Sequence, residues 1–393
     1  MSYRFVRARI FLEQLFCLPI VLLGRAYGFL FPLGSHHGVI IFSSSADIGG
    51  SIRVNAELAT CMSDLTPLVI FTKRPKNRGF SGLFIQPGVK TLDLYRFIDY
   101  KLYHFLNIFW RGILAEWIRQ SSPRAVIGGE CIYFYKVIPY LDKSIRRIEI
   151  CHLNTWINYS IAFECDITFR VFSTQKIRRD VIRQYDKNNF PTLKYSKLLF
   201  ADNFIDLPPY KAVFNSRLEV LFVGRGAPQK RIHLIVEIAL CCKQLNLPIH
   251  FSFVGDVVDY IPLSLRDSVT LHGAIADAGK IASIYQSSDI LILTSAFEGL
   301  PLVVMEMMSR GKVVLSTAVD GIPDYIQHNY NGLLIFEKDE QGIISQGVEL
   351  LKRVELDRSL LTHLGEQARL SASQQFSKEK FVSFYRKLVL ESR

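Results

Sequence analysis

At 393 residues, with 49% hydrophobic and 21% charged side chains, the chain is too long for one ordinary domain and too apolar to be disordered, so two globular domains are expected. The net charge of +11 belongs to the first half: residues 1–215 hold 28 Lys+Arg against 16 Asp+Glu, whereas residues 216–393 hold 19 against 20. The seven cysteines (17, 61, 131, 151, 165, 241 and 242) are irregularly spaced, without Cys-x-x-Cys or a histidine at zinc-finger spacing, which argues against a disulfide framework and a metal site and for a reducing compartment.

The first element is Ile10–Leu33, rich in Leu, Phe and Ile and preceded by Arg4, Arg7 and Arg9. Glu13 interrupts it and Arg25 ends the uncharged run Gln14–Gly24, about half of the ~20 residues that a spanning helix needs. It reads either as a helix lying in a membrane interface, with arginines among headgroups, or as a helix packed on the first domain. From residue 38 short apolar runs alternate with longer amphipathic ones, the pattern of parallel sheets covered by helices. Gly38–Ser43, Pro67–Thr72, Ala125–Gly128, Arg147–Cys151 and Ile167–Ser173 read as strands; Ser51–Met62, Leu92–Arg119 and Thr174–Gln184 read as helices.

The pattern breaks at Pro208–Asn215 and restarts with Leu218–Val223 as a new first strand. Strands follow at 249–254, 269–272, 290–293, 313–316 and 333–336, with helices at 232–244, 278–287, 301–309 and from Asp339 onward. The expected organisation is an N-terminal apolar and basic segment at 1–35, a Rossmann-like domain at 36–210, a second at 216–376, and a final helix at 377–393. In such doubly wound sheets ligands bind at the C-terminal ends of the strands.

The chemistry-bearing stretches follow strands. After the strand at 290–293 comes Ser295–Gly311, in which Gly299 permits a tight turn and Pro301 suits the first turn of a helix. Glu298 and Glu306 there place two carboxylates, which accept hydrogen bonds from hydroxyls, beside a helix N-terminus that favours phosphate. Phe222–Lys230 (FVGRGAPQK) ends the second domain's first strand, where Gly224 and Gly226 give a pliable loop carrying Arg225 and Lys230. In the first half, Gly49-Gly50 follows the first strand, with Ser51 as a capping residue for the next helix, and His152 follows the strand ending at Cys151. Taken singly, each has a plain alternative: a chance surface pair, solvated cations, an ordinary turn, a structural histidine.

Together with Gly321-Ile322-Pro323-Asp324 and Asn331-Gly332-Leu333-Leu334, these stretches resemble the GT4 family of retaining glycosyltransferases of the bacterial envelope. The resemblance is specific from Phe222 to Leu334 and looser elsewhere. It implies a GT-B fold, α/β, with two Rossmann-like doubly wound domains facing across a cleft and a last helix, Lys378–Leu390, crossing back to the first domain. It further implies that Glu298 contacts donor-sugar hydroxyls, that Glu306 contacts the ribose, and that the backbone of Gly299 and Leu300 lies near the donor. Arg225 and Lys230 would hold the diphosphate, Gly49 and Gly50 would meet the donor phosphate, and His152 would lie near the transferred sugar. Met307, Lys312 and Asp324 depart mildly from the family pattern, and Asp64-Leu65-Thr66 stands where a Gly-His is usual.

The function so implied is transfer of a hexose-type sugar from a UDP- or GDP-sugar to a saccharide or lipid-linked acceptor with retention, without metal or other cofactor. A charge-assisted hydrogen bond contributes about 1.5–3 kcal/mol and a helix N-terminus about 0.3–1 kcal/mol, so the two cations dominate over the dipole. Arg225→Ala and Lys230→Ala are expected to lower turnover at least tenfold with little loss of folding. An inverting enzyme would instead use Asp47 or His152 as base. A nucleotide-sugar epimerase and a non-catalytic saccharide-binding protein are the alternatives, and no nucleic-acid module signature appears. The basic half and the apolar N-terminus point to peripheral contact with the inner face of the cytoplasmic membrane.

Overall fold

The computed structural model describes residues 3–100, 104–153, 157–210 and 215–391. The chain forms two compact units, Met1–Ala201 with Glu379–Arg393, and Asp202–Lys378.

The first unit is built on β1 (Val39–Ser43), β2 (Leu68–Phe71), β3 (Lys90–Leu92), β4 (Ala125–Gly128), β5 (Arg146–Cys151), β6 (Phe169–Phe172) and β7 (Leu198–Phe200). All neighbours pair in parallel, in the order β3-β2-β1-β4-β5-β6-β7. The continuous burial of VIIFS, LVIF and AVIG is what a parallel sheet covered on both faces demands. Its helices are α1 (Tyr3–Leu30), α2 (Gly50–Cys61), α3 (Tyr95–Ile98), α4 (His104–Ser121), α5 (Ile132–Val137), α6 (Ile157–Ser160) and α7 (Gln175–Lys187).

The long helix expected over Leu92–Arg119 is instead β3, then α3, then α4. Residues 101–103 of that span lie outside the described residues. Lys90–Leu92 adds an edge strand in register with Leu68–Ile70, and three residues are too few for a period-two pattern to show against the apolar run that follows. Ser51 does not cap α2: Gly49 occupies the cap position, without a side-chain hydrogen bond. Thr174 does cap α7, its hydroxyl oxygen accepting the Ile177 N–H at 3.2 Å.

Helix α1 packs chiefly on α4. Glycines set how close the two come: a Cβ on Gly112 would run into the Val21 carbonyl oxygen, and one on Gly24 into that of Phe109. Glu13 turns inward to pair with Arg111 at 3.0 Å and Lys136 at 2.6 Å, and Trp117 donates to the Phe31 carbonyl at 2.8 Å. The segment is thus a packed helix on this side, while its outward side carries exposed Phe11, Leu15, Phe16, Leu22 and Leu23. Across the sheet, Glu149 on β5 stands opposite Arg170 on β6. They form a buried ion pair, joined by the hydroxyls of Tyr135, Ser160 and Tyr185.

The second unit has β8 (Leu218–Val223), β9 (Ile249–Val254), β10 (Val269–Gly273), β11 (Ile290–Leu293), β12 (Val313–Thr317) and β13 (Leu333–Ile335), parallel in the order β10-β9-β8-β11-β12-β13. Around it lie α8 (Ile232–Gln244), α9 (Leu263–Arg266), α10 (Ala278–Ser287), α11 (Leu302–Ser309), α12 (Glu340–Leu356) and α13 (Ser359–Gln375). The units divide before Asp202, earlier than the sequence break at Pro208–Asn215, of which residues 211–214 lie outside the described set. The reason is packing: Ile205 donates its N–H to the Phe376 carbonyl at 3.2 Å, Tyr325 hydrogen-bonds Asp202, and Arg369 reaches the Pro208 carbonyl at 2.9 Å.

The last helix, α14 (Lys378–Leu390), returns to the first unit. It buries Phe381, Tyr385 and Val389 there, and Arg386 holds Asp64 in a two-pronged pair at 2.7 and 2.9 Å. None of the seven cysteines is in a disulfide.

Candidate functional site

In each sheet the strand order reverses beside the first strand: between β1 and β4 in the first unit, and between β8 and β11 in the second. The loops leaving such a pair diverge to opposite faces and open a crevice at the strand ends. In the second unit those two loops carry the predicted residues, Arg225 and Lys230 after β8 and Glu298 after β11.

Several hydrogen bonds stitch the two loops together. Ala296 donates its N–H to the Gln229 carbonyl at 2.8 Å, and the Gln229 amide reaches the Phe297 carbonyl at 2.7 Å. Arg231, in the left-handed region at φ 45, donates to the carbonyls of Thr294 at 2.7 Å and Ser295 at 3.0 Å. The Thr294 hydroxyl returns hydrogen bonds to the carbonyls of residues 230 and 231. The result is an ion pair between the Lys230 ammonium and the Glu298 carboxylate, both largely sheltered from water. Lys230 is therefore engaged with Glu298 rather than solvated.

Arg225 is exposed and has no hydrogen-bond or ion-pair partner among the described residues. Its loop is fixed by glycine sterics: a Cβ on Gly226 would collide with the Asp256 carbonyl oxygen, and one on Gly224 would touch the Phe222 ring. Across from it Gly255, at φ 126, comes so close to Gly224 that a Cβ would overlap the Gly224 carbonyl. On the other loop, Asp320 accepts the Glu298 N–H at 3.0 Å and Gly299 and Leu300 are buried. Pro301 caps α11 without a side-chain hydrogen bond, which leaves first-turn N–H groups facing the loop. Glu306 lies within α11 and is buried. The Ser295 hydroxyl is buried without a partner among the described residues. Asn331 and Gly332 act structurally: the Asn331 side chain accepts the Gln327 N–H at 2.7 Å and donates to the Tyr325 carbonyl at 3.0 Å.

In the first unit, Gly49 is extended, at φ −179, and a Cβ there would make only an ordinary contact with Ile52. Gly50 opens α2. Neither position requires glycine for its backbone, and beside Gly49 only the Ile52 side chain lies within contact distance of an added Cβ. Asp47, the alternative base, is already engaged. Its carboxylate accepts the N–H groups of Lys76, Asn77 and Arg78 at 2.8, 2.8 and 3.2 Å and the Ser45 hydroxyl at 2.9 Å. Burial works to raise its pKa, but the hydrogen bonds from Asn77, Ser45, Arg78 and Lys76 prevail and hold it below the usual carboxylate range.

His152 leaves the end of β5 and donates its backbone N–H to the Glu130 carboxylate at 3.1 Å. Its Nε2 is buried and has no partner among the described residues. Burial lowers the imidazole to about 4, so it is neutral at physiological pH. Glu130, at the end of β4, escaped the sequence reading. It sits in the left-handed region at φ 51, and burial pushes its carboxyl up to about 7 against the pull of the His152 and Leu153 N–H groups, with Glu149 raising it further. Its only sequence signal is its place behind Gly128-Gly129 at a strand end. Among the described residues no group of three His, Cys, Asp or Glu side chains is disposed to hold a metal.

Residues 209–371 match the family "Glycosyl transferases group 1". The chain is 35% identical over 193 residues to the N-acetyl-alpha-D-glucosaminyl L-malate synthase of Bacillus anthracis, covering 48% of this chain and 49% of that one. It is 27% identical over 289 residues to the poly(ribitol-phosphate) alpha-N-acetylglucosaminyltransferase of Staphylococcus aureus, covering 68% of this chain and 56% of the relative. The chain thus spans about half the length of these curated relatives. Anabaena Alr3699/HepE, solved in complex with UDP and glucose, superposes with a TM-score of 0.71 at 17% identity, over 90% of this chain and 99% of that one. The fold is GT-B, with a Rossmann-like parallel sheet in each of the two units, and residues 209–371 match the glycosyl transferases group 1 family.

Proposed function

We propose that the protein is a retaining glycosyltransferase of bacterial glycan assembly. It would move a hexose-type sugar from a UDP- or GDP-sugar to a saccharide or lipid-linked acceptor at the inner face of the cytoplasmic membrane, without a resident metal. The observation that carries this reading is the ion pair of Lys230 with Glu298 on the two loops at the strand-order reversal of the second unit, with Arg225, on the same loop as Lys230, exposed and without a counter-ion among the described residues. That arrangement offers one cation directly and a second by exchange. A bound diphosphate draws Arg225 and Lys230, and the freed Glu298 carboxylate accepts hydrogen bonds from the sugar hydroxyls. Glu306 accepts from the ribose, and the backbone of Gly224, Gly299 and Leu300 approaches the donor closely.

As the bond from the anomeric carbon to the diphosphate oxygen breaks, negative charge grows on the leaving diphosphate, and the two cations stabilise it. The acceptor oxygen bonds to the same face of the anomeric carbon, and its proton passes to a donor phosphate oxygen, so no protein carboxylate is needed as base. The engagement of Asp47 with a backbone loop fits that requirement. From the first unit, the proposal assigns Gly49 and Gly50 to the donor phosphate and the neutral His152 to the transferred sugar. The names of the Bacillus and Staphylococcus relatives, both α-N-acetylglucosaminyl, and the UDP and glucose of the Anabaena structure support UDP-hexoses as the first donors to try.

A thermal-shift screen of UDP- and GDP-sugars tests the donor, because a ligand that binds only the native state raises its melting temperature. A shift with one nucleotide sugar that disappears in Arg225→Ala and Lys230→Met is expected. No shift with any donor at saturating concentration refutes the reading. Linkage analysis of the product decides retention, and an unchanged rate in chelator decides metal independence.

A further inference from the structure

On α1, exposed positions recur in adjacent pairs, 11/12, 15/16, 18/19, 22/23, 26/27 and 29/30, along the whole helix. That spacing marks one broad face of a helix, about 42 Å long at 1.5 Å per residue. Phe11, Leu15, Phe16, Leu22, Leu23 and Phe29 stand on it, each more than half exposed. The surface continues sideways through stacked rings: Tyr27 lies 4.6 Å from Phe31 and 5.7 Å from Phe109, and Phe109 stacks 6.2 Å from Phe105, itself 54% exposed on α4. Apolar area on this scale marks an interaction site.

Charge selects the occupant. The helix has one acidic residue, Glu13, and it is tied inward to Arg111 and Lys136. Arg7 reaches inward to the Ala162 carbonyl, and Arg25 faces Glu116 at 3.9 Å. The outward charges are Arg4 and Arg9, both exposed near the helix start. A second copy docked on this face would meet the same cations without an anion, and a helix-pair seam is narrower than this two-helix surface. No described helix is long and apolar enough to cross a membrane. The glycine contacts at Gly24 and Gly112 hold α1 against α4, so the face is presented by a fixed scaffold.

We infer that the outward face of α1, widened by Phe105 and Phe109 of α4, lies in the interface of an anionic bilayer, with its rings among the acyl chains and Arg4 and Arg9 among the headgroups. This specifies the membrane contact in the proposed function, although its geometry is independent of the donor site. The test is flotation of the full chain with vesicles of phosphatidylcholine alone and of phosphatidylcholine mixed with phosphatidylglycerol. The parent should float with the anionic vesicles and much less with the neutral ones. Phe16→Ser with Leu23→Ser, on a surface whose loss leaves the core untouched, should bind at least tenfold more weakly while its melting temperature and its shift with UDP-sugar match the parent. Arg4→Glu with Arg9→Glu should erase the preference for anionic vesicles. Failure of the parent to float, or a parent dimer that the Phe16/Leu23 variant splits, overturns the inference, and an intact UDP-sugar shift in that case leaves the donor reading standing.

Discussion

Glu130 and His152 make opposite demands on pH, and the pair can be separated by mutation. His152 falls from 6.5 to about 4 on burial, so between those values the native chain binds fewer protons than the unfolded one and stability rises with pH. Glu130 climbs from 4.5 to about 7, so between those values the native chain binds more protons and stability falls with pH. Each displacement is about 2.5 pH units, which at 1.36 kcal/mol per unit is about 3 kcal/mol. In the parent the two contributions nearly cancel from pH 4.5 to 6.5. Glu130→Gln removes the falling one, and its stability relative to the parent should climb by up to about 3 kcal/mol between pH 4.5 and 7. His152→Asn removes the rising one, and its stability relative to the parent should drop by a similar amount between pH 4 and 6.5. Urea denaturation at half-unit pH intervals measures both, and groups common to all three chains drop out of the differences. Differences that stay flat with pH in both variants refute the reasoning.

The ion pair at the candidate site modifies the expectation that Lys230 can be removed with little loss of folding. Lys230→Met leaves the Glu298 carboxylate without its counter-ion and should cost on the order of 3 kcal/mol in chemical denaturation, most of it restored by adding Glu298→Gln. Arg225→Ala, at an exposed cation without a partner, should leave stability unchanged while lowering turnover at least tenfold. Gly112→Ala places a methyl group against the Val21 carbonyl and should cost about 1–3 kcal/mol, read as a lower melting temperature. Arg170→Met strands the buried Glu149 carboxylate and should cost about 3–5 kcal/mol; a loss below 1 kcal/mol would mean that the pair is hydrated.

Strands that are buried on both faces were legible because they are short, continuous apolar runs: VIIFS, AVIG and ILIL stand within a residue of their expected places. Helix 232–244 was likewise legible from its period. The edge strands of the first sheet were not: Lys90–Leu92 and Leu198–Phe200 gain their strand state from a neighbour rather than from their own pattern, whereas both edges of the second sheet stand where expected. At the site, Glu298, Glu306, Arg225 and Lys230 could be picked out because carboxylates and cations behind apolar strands are chemically conspicuous. What the sequence could not show is partnership. That Lys230 faces Glu298 depends on Gln229, Arg231 and Thr294 binding one loop's backbone to the other's, and that Asp47 is occupied depends on a turn some 30 residues away. Glu130 was invisible for the same reason, since its neighbour His152 is brought to it by adjacent strands.

Because α14 folds onto the first unit and residues 202–378 precede it in the chain, synthesis runs through the whole second unit before the first can be closed. Until then, the surface that will receive Phe381, Tyr385 and Val389 is bare, and Asp64 has no guanidinium to hold. A ribosome that stalls after residue 378 would release a chain whose second half is finished and whose first half is still vulnerable to proteases.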